Sequence, residues 1–89
     1  MRFAAMERYH LNLFNDVDTM DEEGESFVDL AQAKENAIAS ARALMAEHLL
    51  AGKLIRLWHR IGITDDAGNV VSTLPFRELV TILDEPAEF

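Results

Sequence analysis

Apolar and polar residues alternate along this chain with two different periods, and the changes of period divide it into elements. From Arg8 to Phe14 the period is two. Tyr9, Leu11 and Leu13 fall on one face and Arg8, His10, Asn12 and Phe14 on the other, which predicts a half-buried strand. Asn15 to Gly24 is polar and acidic and reads as a turn or loop. Glu25 to Phe27 then reads as a short return strand that completes a hairpin. Beyond it the period lengthens. Leu30, Ala37, Ile38, Ala41, Leu44, Met45, His48 and Leu49 recur at spacings of three and four, so they share one face of a long helix. Asp29 stands where an N-cap belongs, Gln32 holds the capping-box position three residues on, and Gly52 suits the residue just past the end. The opposite face (Gln32, Ala39, Ala43, Ala46, Leu50) is rich in alanine, which favours helix in itself; a second packing surface is the other reading.

Period two returns from Leu54 to Ile63. Ile55, Leu57, His59, Ile61 and Ile63 form one face of the predicted strand, and Leu54, Arg56, Trp58 and Arg60 the other. Thr64 to Asn69 carries two aspartates and Gly68, the composition of a type I turn closed by a bulge, so Asn69 to Leu74 is expected to be the second strand of a hairpin. Pro75 stops a ladder and can open a helix, and Phe76, Leu79, Val80 and Leu83 have the spacing of a short closing helix. Asp84 to Phe89 reads as a fraying polar tail. The expected order is therefore β-β-α-β-β-α. That is a single small α+β domain over residues 1–89, ordered from about residue 8 to residue 83, with one antiparallel sheet and the long helix packed across one face. Its core is expected where Leu30, Ile38, Ala41, Leu44, Met45 and Leu49 meet Tyr9, Leu11, Leu13, Ile61 and Ile63. Strand order does not follow from the pattern.

The chain resembles a family of short, uncharacterised bacterial domains classed only as a domain of unknown function. The residues that carry the resemblance are Arg8-Tyr9-His10-Leu11-Asn12-Leu13, the acidic turn Asp21-Glu22-Glu23-Gly24, the helix start Asp29-Leu30-Ala31-Gln32-Ala33, and the hairpin from Ile61 to Phe76. They span about residues 8–80, and the hairpin is the most specific of them. Trp58 departs from the family pattern, which is polar there. The resemblance implies the fold and an intracellular bacterial source, and it implies no activity.

Composition narrows the functional classes. The apolar fraction of 49% supports a packed core. The absence of cysteine excludes disulfides, thiolate metal sites and thiol nucleophiles. No apolar run reaches the roughly 18 residues that span a bilayer, and Glu7 and Arg8 interrupt any signal-like segment, so a cytoplasmic protein is expected with no membrane association. The net charge of −8 repels phosphate backbones. The charge is uneven, however. Residues 16–29 hold seven acids (Asp16, Asp18, Asp21, Glu22, Glu23, Glu25, Asp29) and no base, while residues 53–60 hold Lys53, Arg56 and Arg60 and no acid.

No constellation predicts catalysis. The acidic loop fails the spacing of a calcium-binding EF-hand, because Met20 falls where a ligand is needed and Phe27 where the closing glutamate belongs. It reads as a solvated turn. Ser26, Ser40 and Ser72 sit in no nucleophile motif, and His48 and His59 read as buried histidines that could approach across the helix–sheet interface. No catalytic residue, no metal site and no cofactor are expected. What remains is the sheet face turned away from the helix. Arg56, Trp58 and Arg60, with Phe14 and His10, place arginines between aromatic residues, a composition that suits a protein interface. Binding of single-stranded nucleic acid fits the same residues but is disfavoured by the charge. A covered or solvated face is the remaining reading. The expectation is a non-enzymatic interaction domain, a homodimer or a binder of a protein partner. The alternative is an acidic regulatory module of antitoxin or nucleic-acid-associated type.

Overall fold

The computed structural model describes residues 6–84 and 86. The expectations for the N-terminal segment and for most of the polar tail fall on residues 1–5, 85 and 87–89, outside the described ones. Four strands and one helix follow one another as β1 (Glu7–Phe14), β2 (Glu25–Phe27), α1 (Leu30–Leu50), β3 (Arg60–Asp65) and β4 (Val70–Pro75). The strands form one antiparallel sheet in the order β2-β1-β3-β4. Two local hairpins are thus joined edge to edge by the β1–β3 pair, which aligns Leu11 with Ile63 and Leu13 with Ile61.

α1 lies across β1, β2 and β3 on one face of this sheet. Tyr9, Phe27, Ile61 and Ile63 meet it there, as period-two parity predicts. From the helix the buried positions are Ala33, Ala37, Ala41 and Met45, a line at spacing four. Leu30, Ile38 and Leu44 flank that line and are only partly buried. Leu49, expected in the core, is 70% exposed. The buried line of alanines lets the helix backbone approach the sheet closely, and the larger residues then lie at the margins of the contact. The alanine-rich opposite face is exposed.

The helix start agrees with its sequence signature, with one shift. Asp29 Oδ1 accepts the Gln32 backbone N–H at 2.9 Å, while the Gln32 side-chain oxygen accepts from Val28 N–H at 2.8 Å, one residue earlier than in a standard capping box. At the β3–β4 turn, Gly68 (φ +86°) donates to the Asp65 carbonyl at 3.0 Å. Asp65 Oδ1 accepts from Ala67 N–H at 3.0 Å and from Asn69 N–H at 2.9 Å. These donors, Asn69 first, hold the Asp65 carboxyl below its ordinary pKa.

Two expected elements are corrected. The strand predicted from Leu54 begins only at Arg60. Arg60 pairs with Phe14, the last residue of β1, and with Pro75, the last of β4, so no neighbour remains for residues 54–59 to join as a ladder. Two backbone bonds still reach them, from Phe76 N–H to the His59 carbonyl (2.8 Å) and from Arg77 N–H to the Leu57 carbonyl (3.2 Å). The closing helix is a single 3-10 turn, Phe76–Glu78, so the order is β-β-α-β-β without a final helix. Those two backbone N–H groups at the start of the turn bond to the 57–59 segment, and the buried side chains of Phe76 and Leu79 anchor the turn.

Candidate protein-interaction surface

On the face of the sheet away from α1, Phe14 and Arg60 are cross-strand partners, and the Arg60 guanidinium carbon lies 4.5 Å from the centre of the Phe14 ring. Gly62 makes room for that ring, since a Cβ built there would stand 2.8 Å from Phe14 Cε2. The burial pattern continues past the start of β3: Trp58 is exposed, His59 buried, Arg60 exposed and Ile61 buried. Trp58 therefore lies outside the core, 50% exposed, with its ring edge-on to that of His59 at 4.4 Å between centroids. Phe76 stacks edge-on to His59 from another side at 5.8 Å.

Asp16, just past the end of β1, approaches this group. Its carboxylate lies 3.6 Å from Arg56 Nε and 3.7 Å from His59 Nε2. The first is a surface ion pair, a contact worth about 0–1 kcal/mol. The second is too long for a hydrogen bond. His59 Nε2 is buried with no hydrogen-bond partner, a condition that costs about 1–3 kcal/mol. The acidic and basic stretches of the sequence thus meet within one chain. His59 was read as a buried histidine and is buried, but Asp16 was not among the candidate residues; the opposed charges of residues 16–29 and 53–60 were the signal that could have found their approach.

His10, also a candidate, lies on the same face but apart from the others, four residues along β1 from Phe14 and roughly 13 Å away at about 3.3 Å per residue. It belongs to a separate network. His10 Nδ1 is 2.7 Å from the Asp21 carbonyl oxygen and Nε2 is 3.0 Å from Asp66 Oδ1. Both neighbours are acceptors, and only the imidazolium can donate from both nitrogens. The bond to Asp66, then that to the Asp21 carbonyl, raises the His10 pKa above its ordinary value.

Asp21 is not the solvated acid expected of this loop. It accepts from Gly24 N–H (3.1 Å) and Leu11 N–H (3.2 Å), and its own N–H donates to Asn12 Oδ1 (2.9 Å). Asn12, expected on an open face, is consequently only 2% exposed; its side-chain amide also donates to the Gly62 carbonyl and to Thr64 Oγ1, each at 3.2 Å. The loop closes over the middle of the outer face and divides it. Phe14 and Arg60 stand at one end, next to the 54–59 segment that carries Arg56 and Trp58, and His10 stands at the other.

Elsewhere, a groove of about 480 Å³ runs between the C-terminal half of α1 and the chain beyond the 3-10 turn, lined by Met45, Leu49, Ile55, Leu57, Val80 and Ile82. Arg42 Nε bonds to the Leu79 carbonyl at 2.9 Å beside it. Leu50, 89% exposed, and Leu54, Ile82 and Leu83 extend the apolar surface around this end of the molecule. Among the described residues, no group of three or more His, Asp or Glu side chains is placed to hold a metal ion, and no helix is long and apolar enough to cross a membrane.

Comparison with curated proteins and with solved structures gave no match. The family comparison did: residues 8–77, from the second residue of β1 to the 3-10 turn, match the model of a domain of unknown function (DUF6894), and the chain belongs to that family.

Proposed function

We propose that this chain is a small non-enzymatic protein-interaction domain that self-associates through the end of its outer sheet face. One observation carries the reading. Trp58, half exposed, lies between Arg56 and Arg60 in the sequence, and Arg60 stacks on Phe14. Tryptophan, phenylalanine and arginine are the residues enriched at the anchoring centres of protein interfaces. Buried His59 stands edge-on to the tryptophan ring, and buried Phe76 stands edge-on to His59 in turn. The same reading takes the protein to be bacterial and cytoplasmic, as the family resemblance implies.

Sedimentation across concentration tests this. Wild type should dimerise, and Trp58→Ala should weaken the dimer by about 2 kcal/mol or more, as loss of an anchoring aromatic does. The unfolding midpoint of the variant monomer should change little. A wild-type chain that stays monomeric at high concentration would overturn the reading.

A second reading is supported by the exposed acids Asp18, Glu22, Glu23, Glu25 and Asp29. An acidic module of regulatory type would use them to neutralise a basic partner. It predicts a monomer that binds basic peptides with strong salt dependence and is indifferent to Trp58→Ala.

A further inference from the structure

We propose that Arg56, His59 and Arg60 form a carboxylate-binding site, filled by an acidic side chain from the 16–29 loop of a second copy of this chain. The inference rests on the self-association reading and names the chemistry of its contact.

The unpartnered nitrogen of His59 is the starting point. His59 is 7% exposed, and its Nε2 has no hydrogen-bond partner. Buried polar atoms are rarely left in that state, and each one that is requires an explanation. The carboxylate of Asp16 comes near and stops short, 3.7 Å from the histidine and 3.6 Å from Arg56 Nε. Its loop holds it there. Paired backbone bonds between Leu13 and Thr19 (2.9 and 2.8 Å) close the segment that carries Asp16, and Asn15 Oδ1 takes the Val17 N–H at 3.0 Å. A carboxylate arriving from another molecule has no such tether and, in displacing Asp16, can come closer to Arg56 Nε and to His59 Nε2, which donates in the Nε2–H tautomer.

Asp16 also shows what the site accepts and how weakly it is filled. Its side chain is 67% exposed and that of Arg56 45%, so the ion pair is screened and exchangeable. Positive charge remains after that pairing. Among the described residues Arg60 has no carboxylate within ion-pair distance; it rests on the Phe14 ring. In a chain of net charge −8 this is a local surplus of positive charge beside an exposed tryptophan. The acidic loop of a second copy supplies the complement through the exposed acids Asp18, Glu22, Glu23 and Glu25, with no base over residues 16–29. In a two-fold dimer each loop would cover the other copy's site, so every favourable contact occurs twice.

A peptide spanning residues 14–25, titrated into the full chain at low salt, tests the site. Trp58 is the sole tryptophan and the peptide has none, so its fluorescence reports binding directly. Saturable binding is expected, with none by a peptide whose acids are replaced by amides. Asp16→Asn in the protein should tighten binding about two- to fivefold by removing the internal competitor. Arg56→Glu, at an exposed position, should weaken it about tenfold or more, because it sets like charges against each other. No change in Trp58 emission, or equal binding by Arg56→Glu, overturns the site. Tighter binding of a single-stranded oligouridylate that displaces the peptide overturns the acidic-loop assignment. Sedimentation of the same proteins separates the two levels of the argument. A wild-type dimer that Arg56→Glu leaves intact overturns this contact while self-association stands. A wild-type monomer that binds the peptide overturns self-association, and with it the second copy as the occupant.

Discussion

Gly24 has φ +72°, and a Cβ added there would stand 2.9 Å from His10 Cε1 and 3.0 Å from Arg8 Cγ. A bare backbone is needed at this point for the acidic loop to lie against β1. There it turns back on itself and presents the Asp21 carbonyl to His10. The contact has a pH signature. The folded-state pKa of His10 lies above its ordinary value of 6.5, because Asp66 and the Asp21 carbonyl favour the imidazolium. Its contribution to stability is therefore complete below the unfolded-state pKa and is lost as pH rises through the higher folded-state value. Thermal unfolding followed from mildly acidic to mildly alkaline pH should show a falling midpoint over that window. Asp66→Asn removes the larger cause and should flatten the slope, and an unchanged slope would mean that another group carries it.

At the scale of elements, the helix shows how far periodicity reaches. Its apolar stripe was legible from spacings of three and four, but the centre of the contact was not. Leucine and isoleucine weigh more than alanine in any hydrophobic pattern, which put Leu30, Ile38, Leu44 and Leu49 in the expected core beside Ala41 and Met45. The buried line is Ala33, Ala37, Ala41 and Met45; Ala41 and Met45 were expected in the core and Ala37 on the stripe, while Ala33 was not. Substitutions should follow the structure. Ala37→Leu forces side-chain volume into the closest contact and should cost about 1–3 kcal/mol. Leu44→Ala, at a partly buried position, should cost about 1 kcal/mol, well below the 2–5 of a fully buried leucine. Leu49→Ala should be neutral to within about 0.5 kcal/mol. Urea unfolding with an unchanged m-value would check all three. The strand predicted from Leu54 failed for a different reason. Alternation through Leu54–Ile63 is real and governs which side chains are buried, but a ladder needs a partner, and β1 and β4 both end opposite Arg60.

At the scale of the molecule, the described residues present two apolar surfaces of different kinds, and one measurement tells them apart. Trp58 is half exposed between Arg56 and Arg60 in the segment that leads into β3, while Leu50, 89% exposed, follows Leu49, which lines the groove at the C-terminal end of α1. If the Trp58 surface forms the dimer, Leu50→Glu should leave the association constant within about threefold of wild type, as substitutions outside an interface core do. A dimer abolished by Leu50→Glu and indifferent to Trp58→Ala would move the interface to the exposed C-terminal end of α1. Either result can be read by sedimentation at the same protein concentrations.

Sequence alone determined the α+β class, the four strands and the long helix with its Asp29 cap, the Gly68 turn, and the parity that turns Tyr9, Leu11, Leu13, Ile61 and Ile63 toward the helix. These rest on interactions between residues a few positions apart, where period, capping and turn chemistry act directly. Tertiary structure decided the rest. The strand order β2-β1-β3-β4 arises from pairing residues some fifty positions apart, such as Leu11 with Ile63, which no local pattern specifies. The loop that buries Asn12, the separation of His10 from Phe14, and the meeting of Asp16 with Arg56 and His59 depend on where a polar segment comes to rest once the sheet exists. Charge opposition in the sequence can suggest such a meeting, but only the packed sheet fixes its distance, and that distance leaves a buried histidine nitrogen without a partner.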